Sequence, residues 1–278
     1  MKLKRTVALL LCGVMLLTGT GITTLTIPAN AVTAQATQTK WPSGPKKKSL
    51  SSDSAIVMEL STGTILYEKN SHKKHYPASI TKILTALLAA ENSLPSDTVK
   101  FSKEAAYGIS SGDSTVYSEP GEKMSMEQCL YAIMLESANE VCLAAAEHVS
   151  GSVKNFVNLM NKRVKKLGLK DTHFNNPNGL PDPNHYTTAY DMAMIARGCY
   201  NNASFVNIDS TSSSYTIPAT NMSAQRTIRH RHKMLKDREF YYEYCKGGKT
   251  GFTDESLMTL VTFAEKDGMR LICVVFRS

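Results

Sequence analysis

The sequence predicts an α+β domain in which strands from both ends of the domain form one antiparallel sheet and a mainly helical segment is inserted between them. Two hairpin patterns carry this prediction, one over residues 54–68 and one over residues 257–276. The long stretch between them has apolar residues at helical spacing. Strands at both ends with helices between them are typical of a single sheet covered by an inserted helical subdomain.

The first residues are predicted to be an export signal and no part of the fold. Three basic residues precede an apolar core over residues 7–17, and Ala29-Asn30-Ala31 fits a small-residue cleavage site. Ala34-Gln35-Ala36 is a second candidate cleavage site. The apolar core is short for a membrane span. We therefore expect residues 1–31 to be removed and the protein to be exported, and then held at the cell wall or secreted.

Residues 32–52 are rich in Thr, Ser, Gln, Lys and Pro and are predicted to be a flexible linker. The folded domain is then expected over residues 53–278, which is long enough for one large core. The formal charge of +8 includes three basic residues of the signal. The remaining modest positive charge suits peripheral contact with an anionic cell wall or membrane. No repeat of alternating aromatic and basic residues accompanies it, so no nucleic-acid partner is expected.

The first hairpin is predicted from residues 54–60 and 64–68, which flank a Ser-Thr-Gly turn. The last hairpin is predicted from residues 257–264 and 269–276, with an Asp-Gly turn between them. The segment between the hairpins has the apolar spacing of five helices. These candidate helices are Ser79–Glu91, Ser125–Met134, Ala138–His148, Val153–Leu167 and Thr188–Tyr200.

Five cysteines lie outside the predicted signal, and their odd number argues against a disulfide framework. They are Cys129, Cys142, Cys199, Cys245 and Cys273, which we expect to be buried thiols. No C-x-x-C pair is present, and the seven histidines include no H-E-x-x-H pattern. We therefore expect no metal site and no cofactor, and a zinc carboxypeptidase is disfavoured.

Three short motifs predict an acyl-transfer site with a serine nucleophile and a lysine base. The first is S-x-x-K, in which Ser79 opens an apolar helical run and Lys82 lies one turn further on. Residues three apart share a helical face, so the amine is expected beside the hydroxyl. A second S-x-x-K, from Ser71 to Lys74, falls in a polar turn and lacks this setting.

The other two motifs follow in order along the chain. Ser137-Ala138-Asn139 is the only S-x-N in the sequence and begins an apolar helix. Lys249-Thr250-Gly251 follows two glycines and directly precedes the last hairpin. This position places it on a strand at the sheet edge, where small residues let a substrate backbone approach closely.

These residues resemble the low-molecular-mass penicillin-binding proteins, which are serine-type D-alanyl-D-alanine carboxypeptidases. The resemblance covers about residues 54–276 and is strongest in four stretches, residues 76–82, 176–182, 185–192 and 247–255. It implies the fold shared with serine β-lactamases, a five-stranded antiparallel sheet with flanking helices, an inserted helical subdomain and an active site between the two parts.

The resemblance also implies catalytic roles for four residues. Ser79 would attack the carbonyl between two terminal D-alanines, and Lys82 would act as the base. Burial and the nearby cation of Lys249 are both expected to lower the pKa of Lys82 and so to favour its neutral form. Ser137 would relay a proton to the leaving amine, and Asn139 would hold Lys82 and the substrate amide.

The implied substrate-binding residues are Lys249, Thr250, Gly251, Phe252 and Arg231. Lys249 and Thr250 would bind the terminal carboxylate or orient Ser137, and the backbone N–H groups of Ser79 and Phe252 would form the oxyanion hole. Arg231 is a candidate for a second carboxylate contact. Arg229 and His232 are neighbouring alternatives, and so is a solvated basic loop without a contact to substrate.

The activity that the resemblance implies is removal of the terminal D-alanine from peptidoglycan stem pentapeptides, with β-lactam antibiotics as acylating inhibitors. A DD-endopeptidase could use the same site. A serine β-lactamase shares the three motifs, but the region before K-T-G has no E-x-x-x-N pattern. A β-lactam sensor without turnover would normally need a membrane-spanning relay, and no apolar segment suited to one follows the signal.

The sequence departs from that family at three places. Glu140 stands where many relatives have Asp, and Ser256-Leu257-Met258 replaces their usual Ala-Gly pattern, which leaves the geometry of the strand edge open. The sequence stops at the end of the last predicted strand, without the small β domain and amphipathic anchor that are common in the family. We expect either a short family member or a truncated sequence.

Overall fold

The computed structural model describes residues 44–211 and 214–278, so the predicted signal and most of the predicted linker lie outside the described residues. Five strands form one antiparallel sheet in the order β2-β1-β9-β8-β7. These strands are β1 (Ser54–Glu59), β2 (Ile65–Lys69), β7 (Cys245–Gly251), β8 (Thr259–Lys266) and β9 (Met269–Phe276). The predicted fold class and the pairing of strands from both ends of the domain are therefore confirmed.

The last hairpin forms the centre of this sheet. β9 pairs with β8 on one side and with β1 on the other, from Ser54 opposite Phe276 to Glu59 opposite Leu271. The β8–β9 turn consists of Asp267 and Gly268, with φ of 50° and 78°. Positive φ at both turn residues matches the right-handed twist of the strands, which explains the Asp-Gly sequence. β7 has a partner on one side only and forms an edge of the sheet.

Seven α-helices lie between β2 and β7 in the described residues. They are α1 (Lys82–Asn92), α2 (Lys103–Tyr107), α3 (Met126–Tyr131), α4 (Asn139–Ser150), α5 (Val153–Lys166), α6 (Ala189–Cys199) and α7 (Ala203–Asp209). α6 packs on β1 and β9, and α1 contacts α3, α4, α5 and α6. The first eight residues of α1 are all buried, so this helix runs through the core.

Two small two-stranded antiparallel sheets complete the inserted part: β3 (Thr98–Lys100) with β4 (Lys123–Ser125), and β5 (Ser214–Ile217) with β6 (Arg226–Arg229). The sequence pattern predicts neither sheet, because runs of three or four residues are too short to show alternation. The helices α2 and α7 are not predicted either, because they are also short.

The five cysteines are free thiols, of which Cys129, Cys142 and Cys199 are buried and Cys245 and Cys273 are half-buried. Burial raises the pKa of Cys142 to about 11, so this thiol, which faces the lysines described below, is neutral. Within residues 44–211 and 214–278, no helix combines the length and the apolar composition needed to cross a membrane.

Candidate active site

Ser79 lies in a tight turn and not in the first turn of an α-helix. A 3₁₀ turn covers Ala78–Thr81, and α1 begins at Lys82. The α-helix therefore begins three residues later than predicted, and the turn opens with Ala78 in a left-handed conformation, with φ of 50°. The hydroxyl and the amine nevertheless lie close together, as expected, with Lys82 Nζ 2.9 Å from Ser79 Oγ.

The ammonium group of Lys82 is fully buried and has three oxygen partners. Its Nζ lies 2.9 Å from Ser79 Oγ, 2.7 Å from Asn139 Oδ1 and 2.5 Å from the carbonyl oxygen of Asn178. Three donor protons satisfy all three when the amine is charged. When the amine is neutral, its lone pair can accept the Ser79 proton, while its two protons are donated to Asn139 Oδ1 and to the Asn178 carbonyl oxygen.

Burial lowers the pKa of Lys82 to about 8. The sequence predicts that burial and the charge of Lys249 together lower this pKa. In the structure burial is complete and is the largest cause, and Arg231 is the cation that lowers this pKa further. Burial, followed by repulsion from Lys82, holds the pKa of Lys249 well below its usual value.

The S-x-N motif joins a π-helical turn to α4. The π turn Ala132–Glu136 ends at Ser137, which has φ of 65° and is almost fully buried. A left-handed Ser places a strained residue beside the nucleophile, a feature that clusters at active sites. Asn139 then opens α4, and its backbone N–H donates to the carbonyl of Ser114 at 2.8 Å.

Glu140 anchors one wall of the site. Its side chain is fully buried, and its Oε1 accepts hydrogen bonds from Thr115 Oγ1 at 2.7 Å and from the Val116 backbone N–H at 2.8 Å. These bonds fix the loop 112–118 against the start of α4. The carboxylate at this position, which is Asp in many relatives, therefore positions a loop and does not face the cleft.

The K-T-G motif lies on the edge strand β7, as the sequence analysis expected. Lys249 is buried and donates from Nζ to the Thr250 carbonyl at 2.9 Å, whereas the Thr250 side chain faces the cleft. A Cβ on Gly251 would lie 2.8 Å from the Ser79 backbone nitrogen and 2.4 Å from Thr259 Oγ1. Glycine is therefore required here, because the strand edge touches the backbone of the nucleophile turn.

Arg231 borders the cleft, but both branches of its guanidinium already have partners. Nη1 donates to Ser114 Oγ at 3.0 Å, and Nη2 forms an ion pair with Glu136. Of its two rivals, His232 is buried and hydrogen-bonded to Thr262, and Arg229 is exposed on β6. Neither rival belongs to the described residues that line the cleft.

A loop over residues 175–187, which overlaps two of the stretches of strongest resemblance, contributes further groups to the site. The Asn178 carbonyl accepts from Lys82, and a Cβ on Gly179 would lie 2.0 Å from the Ala78 carbonyl oxygen. His185 bonds to Thr81 Oγ1 at 2.9 Å through Nε2, which carries its proton because Nδ1 accepts the Asn175 N–H. Burial lowers the pKa of His185 to about 3, so it is a neutral support of the turn.

The walls of the site enclose a cleft of about 280 Å³. The lining residues come from the nucleophile turn, the S-x-N turn, β7 and three loops: Ser79, Gly112, Asp113, Ser114, Ser137, Asn139, Gly179, Leu180, Arg231, Thr250, Gly251, Phe252, Thr253 and Met258. Seven of the nine predicted site residues line it, while Lys82 and Lys249 lie buried behind it. The described residues include no group of three or more His, Cys, Asp or Glu placed to hold a metal ion. The Ser71–Lys74 pair has separate partners, Glu68 and Asp171.

Comparison with known proteins gives a consistent result. Residues 38–278 match the model of peptidase family S11, described as D-alanyl-D-alanine carboxypeptidase. The chain is 37% identical to D-alanyl-D-alanine carboxypeptidase DacF of Bacillus subtilis over 99% of this chain and 66% of the relative. It is 29% identical to a D-alanyl-D-alanine carboxypeptidase of a Streptomyces species, over all of this chain and 93% of the relative.

Solved structures agree with the sequence matches. The Streptomyces K15 DD-transpeptidase superposes with a TM-score of 0.78 at 27% identity, covering 85% of this chain and 92% of that one. Penicillin-binding protein 5 of Haemophilus influenzae superposes with a TM-score of 0.75 at 29% identity, covering 84% of this chain and 67% of that one. The chain spans about two thirds or less of the length of most of the curated relatives that it matches. With these matches and this arrangement of motifs, the chain belongs to peptidase family S11, the D-alanyl-D-alanine carboxypeptidase family.

Proposed function

We propose that this chain is a serine-type D-alanyl-D-alanine carboxypeptidase that removes the terminal D-alanine of peptidoglycan stem pentapeptides. The observation that carries the proposal is the buried Lys82 amine, 2.9 Å from Ser79 Oγ and bonded to Asn139, beneath a cleft bordered by the K-T-G strand. This arrangement supports nucleophilic catalysis, because a neutral amine at hydrogen-bond distance can accept the hydroxyl proton.

The proposed acylation step begins with attack of Ser79 Oγ on the carbonyl carbon between the two D-alanines, as its proton passes to Lys82 Nζ. The oxyanion is held by the backbone N–H groups of Ser79 and Phe252. Ser137 then relays this proton from Lys82 to the departing amine, the C–N bond breaks, and D-alanine leaves. Water attacks the ester of the acyl-enzyme in the second step and releases the shortened peptide.

Recognition of the chain end is assigned to Thr250 and Arg231, which line the cleft, and to the positive charge of Lys249 buried behind it; Lys249 and Thr250 could instead orient Ser137. A cation and a hydroxyl at a strand edge can hold a carboxylate. Arg231 supplies a second positive charge, although a carboxylate bound there would share the guanidinium with Glu136. Penicillins would acylate the same serine, because a β-lactam presents a strained amide and a carboxylate to these groups.

Labelling with fluorescent penicillin tests the nucleophile. The chain should take up the label covalently at Ser79, and Ser79→Ala should abolish labelling while its unfolding temperature stays close to that of the unchanged protein. A matched control is Ser71→Ala, which removes the hydroxyl of the other S-x-x-K and should label normally. Label found on the Ser79→Ala variant would refute the assignment.

Digestion of purified muropeptides with mass spectrometry tests the reaction. Loss of one alanine from pentapeptides supports the carboxypeptidase, whereas cleaved cross-linked dimers support a DD-endopeptidase that uses the same site. Newly joined peptides would indicate transfer to an amine acceptor, as the name of the Streptomyces DD-transpeptidase implies for that protein. A chain that hydrolyses β-lactams rapidly would be a β-lactamase, and one that is acylated without any turnover would be a sensor.

The carboxylate contact is tested by a pair of substrates. Thr250→Val should weaken cleavage of a D-alanyl-D-alanine peptide by about 1–3 kcal/mol in transition-state binding, and cleavage of its amidated form much less. Arg231→Ala should show the same pattern if the arginine reads the chain end. Equal losses on both substrates would mean that Thr250 supports the catalytic groups and does not bind the carboxylate.

The proposed site of action is outside the cytoplasm, at the cell wall. The support is the predicted signal over residues 1–31 and a substrate class that lies outside the cytoplasm. The division into a signal, a linker over residues 32–52 and a catalytic domain over residues 53–278 is part of the same proposal. The mass of the protein recovered from culture medium or cell-wall fractions tests it, since cleavage after Ala31 fixes the mature N-terminus.

A further inference from the structure

One face of α5 carries a row of lysines, none of which forms an ion pair with an acidic residue in the described part of the chain. Lys154, Lys162 and Lys166 are exposed and lie eight and four residues apart, with Asn158 in the step between the first two. Positions four apart follow one another along a helix face, so these side chains form one row. The row from residue 154 to residue 166 is about 18 Å long, at 1.5 Å per residue. Lys165 and Lys170 extend the exposed positive surface at its end.

No carboxylate neutralises this row. Among the ion pairs of residues 44–211 and 214–278, Arg163 pairs with Glu91, and none of the five lysines has an acidic partner. The sequence from Ser152 to Lys170 contains no Asp or Glu. Surface lysines on a helix are ordinarily mixed with acidic residues, because pairs three or four apart stabilise the helix. The row therefore leaves a single-sign field in this part of the surface.

Helix stability does not account for the whole row. Lysines in the last turn, such as Lys165 and Lys166, stabilise the helix because their charge interacts with the negative end of its dipole. Lys154, however, lies in the first turn, which contains no acidic residue and where a positive charge is unfavourable. Because the helix dipole disfavours a positive charge in the first turn, Lys154 needs another explanation, and binding of an external anion supplies one.

The apolar face of the same helix is not available for insertion into a membrane. Phe156, Met160 and Val164 are buried and pack in the core. A helix that inserts into a lipid surface places its apolar face in the bilayer, so a lipid could contact α5 only through its charged headgroup. The row also lacks an exposed aromatic side chain on which a nucleic-acid base could stack. What remains is a partner with repeated negative charges and no need of apolar or stacking contact.

We propose that the lysine row of α5 is a docking surface for an extended polyanion of the cell envelope with a phosphodiester in each repeat. Several phosphates on one chain meet several lysines at once, so weak single contacts add up to useful binding. The row is separate from the cleft. Arg163 of α5 forms an ion pair with Glu91, which lies nine residues along α1 from Lys82, a distance of about 14 Å along the helix. Docking would therefore hold the enzyme at the wall and leave the cleft open.

Binding of fluorescently labelled poly(glycerol phosphate) to the full chain tests this proposal. At about 50 mM salt, replacing Lys154, Lys162 and Lys166 by Gln should weaken binding about tenfold or more, and should flatten its dependence on salt because fewer counterions are released. The matched control replaces Lys100, Lys236 and Lys246, which are also exposed, by Gln and makes the same change in net charge. It should bind within about threefold of the unchanged protein, since screening limits the effect of distant charges.

Unfolding temperatures of both triple variants show that each remains folded. Ser79→Ala should bind the polymer normally, so the outcome is separate from that of the proposed peptidase activity. Equal weakening by the two triple variants would overturn the proposal, because it would show attraction by net charge alone. Tighter binding to phosphatidylglycerol vesicles or to single-stranded RNA than to the polymer, with loss in the α5 variant, would assign the row to a different partner and overturn it as well.

Discussion

At the scale of single residues, the site depends on two lysines that cannot both be charged without cost. Lys82 and Lys249 are both buried, and the pKa of each is lowered chiefly by that burial. Their proposed roles need opposite states, a neutral base and a charged carboxylate binder. Lys82 lies beside the Ser79 hydroxyl, so a neutral amine at Lys82 can accept the hydroxyl proton. Loss of a proton from Lys249 would instead remove a positive charge that the proposed substrate binding needs.

Acylation should therefore rise with pH through about pH 8, the pKa of Lys82, and should fall where Lys249, whose pKa is also lowered by burial, loses its charge. Lys82→Arg carries a charge that cannot be shed at these pH values, so it should reduce acylation by orders of magnitude. The rate of penicillin acylation across this pH range measures both effects. A Lys82→Arg variant with near-normal rates would show that the proton goes elsewhere.

The same burial predicts a dependence of stability on pH. A lysine whose pKa falls from 10.5 unfolded to about 8 folded costs stability below pH 8, and this cost disappears as the pH rises from about 8 to 10.5. Relative to Lys82→Met, the unchanged protein should gain up to about 3 kcal/mol in free energy of unfolding across that window. Urea unfolding of both proteins at the two ends of the window measures the difference, and a constant difference would mean that Lys82 is not desolvated.

Gly251 gives a prediction that rests on shape alone. Gly251→Ala places a methyl group 2.8 Å from the Ser79 nitrogen and should displace the oxyanion N–H, lowering penicillin acylation by about tenfold or more. Gly268→Ala is the control, since its Cβ would meet nothing within 4 Å, although its φ of 78° makes the residue costly there. It should lose about 1 kcal/mol of stability and keep its acylation rate. Similar losses of acylation in both variants would contradict the close approach.

At the scale of elements, β7 is held in place from behind. The Gly248 N–H donates to Asp209 Oδ1 at 3.1 Å, and Asp209 ends α7. The charged and titratable groups that act on Lys249 are Lys82 from α1, Arg231, Cys142 from α4 and this carboxylate. Asp209 is the carboxylate among them and raises the pKa of Lys249, so it favours the charged form that the proposed function needs.

Asp209→Asn should shift the alkaline fall of activity to lower pH, because Asn keeps an acceptor for Gly248 and removes only the charge. The effect should appear mainly as a higher KM for peptides with a free carboxylate, and little with the amidated peptide. Steady-state kinetics with both substrates, from neutral pH to the alkaline pH at which activity falls, measure this shift. A lower unfolding temperature with an unchanged pH profile would show that Asp209 only supports the strand.

The elements also show what the sequence could and could not predict. Both terminal hairpins follow from alternating apolar residues and turn residues, and the structure confirms them, with β9 at its predicted bounds and β8 shifted by two residues towards the turn. The predicted helix over residues 125–134 is instead α3 followed by the π turn Ala132–Glu136. Apolar periodicity does not distinguish these, since a π turn changes the direction of the chain without changing its composition.

The site shows the same limit. The three motifs name groups whose side chains do chemistry, and the structure brings them to one cleft. The Asn178 carbonyl and the left-handed Ala78 have no sequence pattern, because one is a backbone group and the other depends on contacts with Gly179. Arg231 could be found from the sequence, but its ion pair with Glu136 could not, since the two residues meet only through the fold.

At the scale of the whole molecule, the cleft is assembled from segments that are far apart in the sequence. The edge strand β7, the loop 112–118 and the loop 175–187 each contribute a wall, and the nucleophile turn lies between them. β9 has partners on both sides, whereas β7 has one, so the amides of β7 should exchange with solvent faster than those of β9 in the free protein. A ligand that pairs with the open edge of β7 would act as an added strand.

Acylation by a penicillin should therefore slow hydrogen exchange in β7 and in both loops at once, and leave α5 and β2 unchanged. The reason is that one bound molecule touches three walls and satisfies edge groups that were open to water. Hydrogen-exchange mass spectrometry with and without penicillin measures this, and Ser79→Ala with the same penicillin is the control that should show no slowing. Slowing confined to the nucleophile turn and α1 would contradict the three-walled site, because it would mean that the ligand is held by its covalent bond alone.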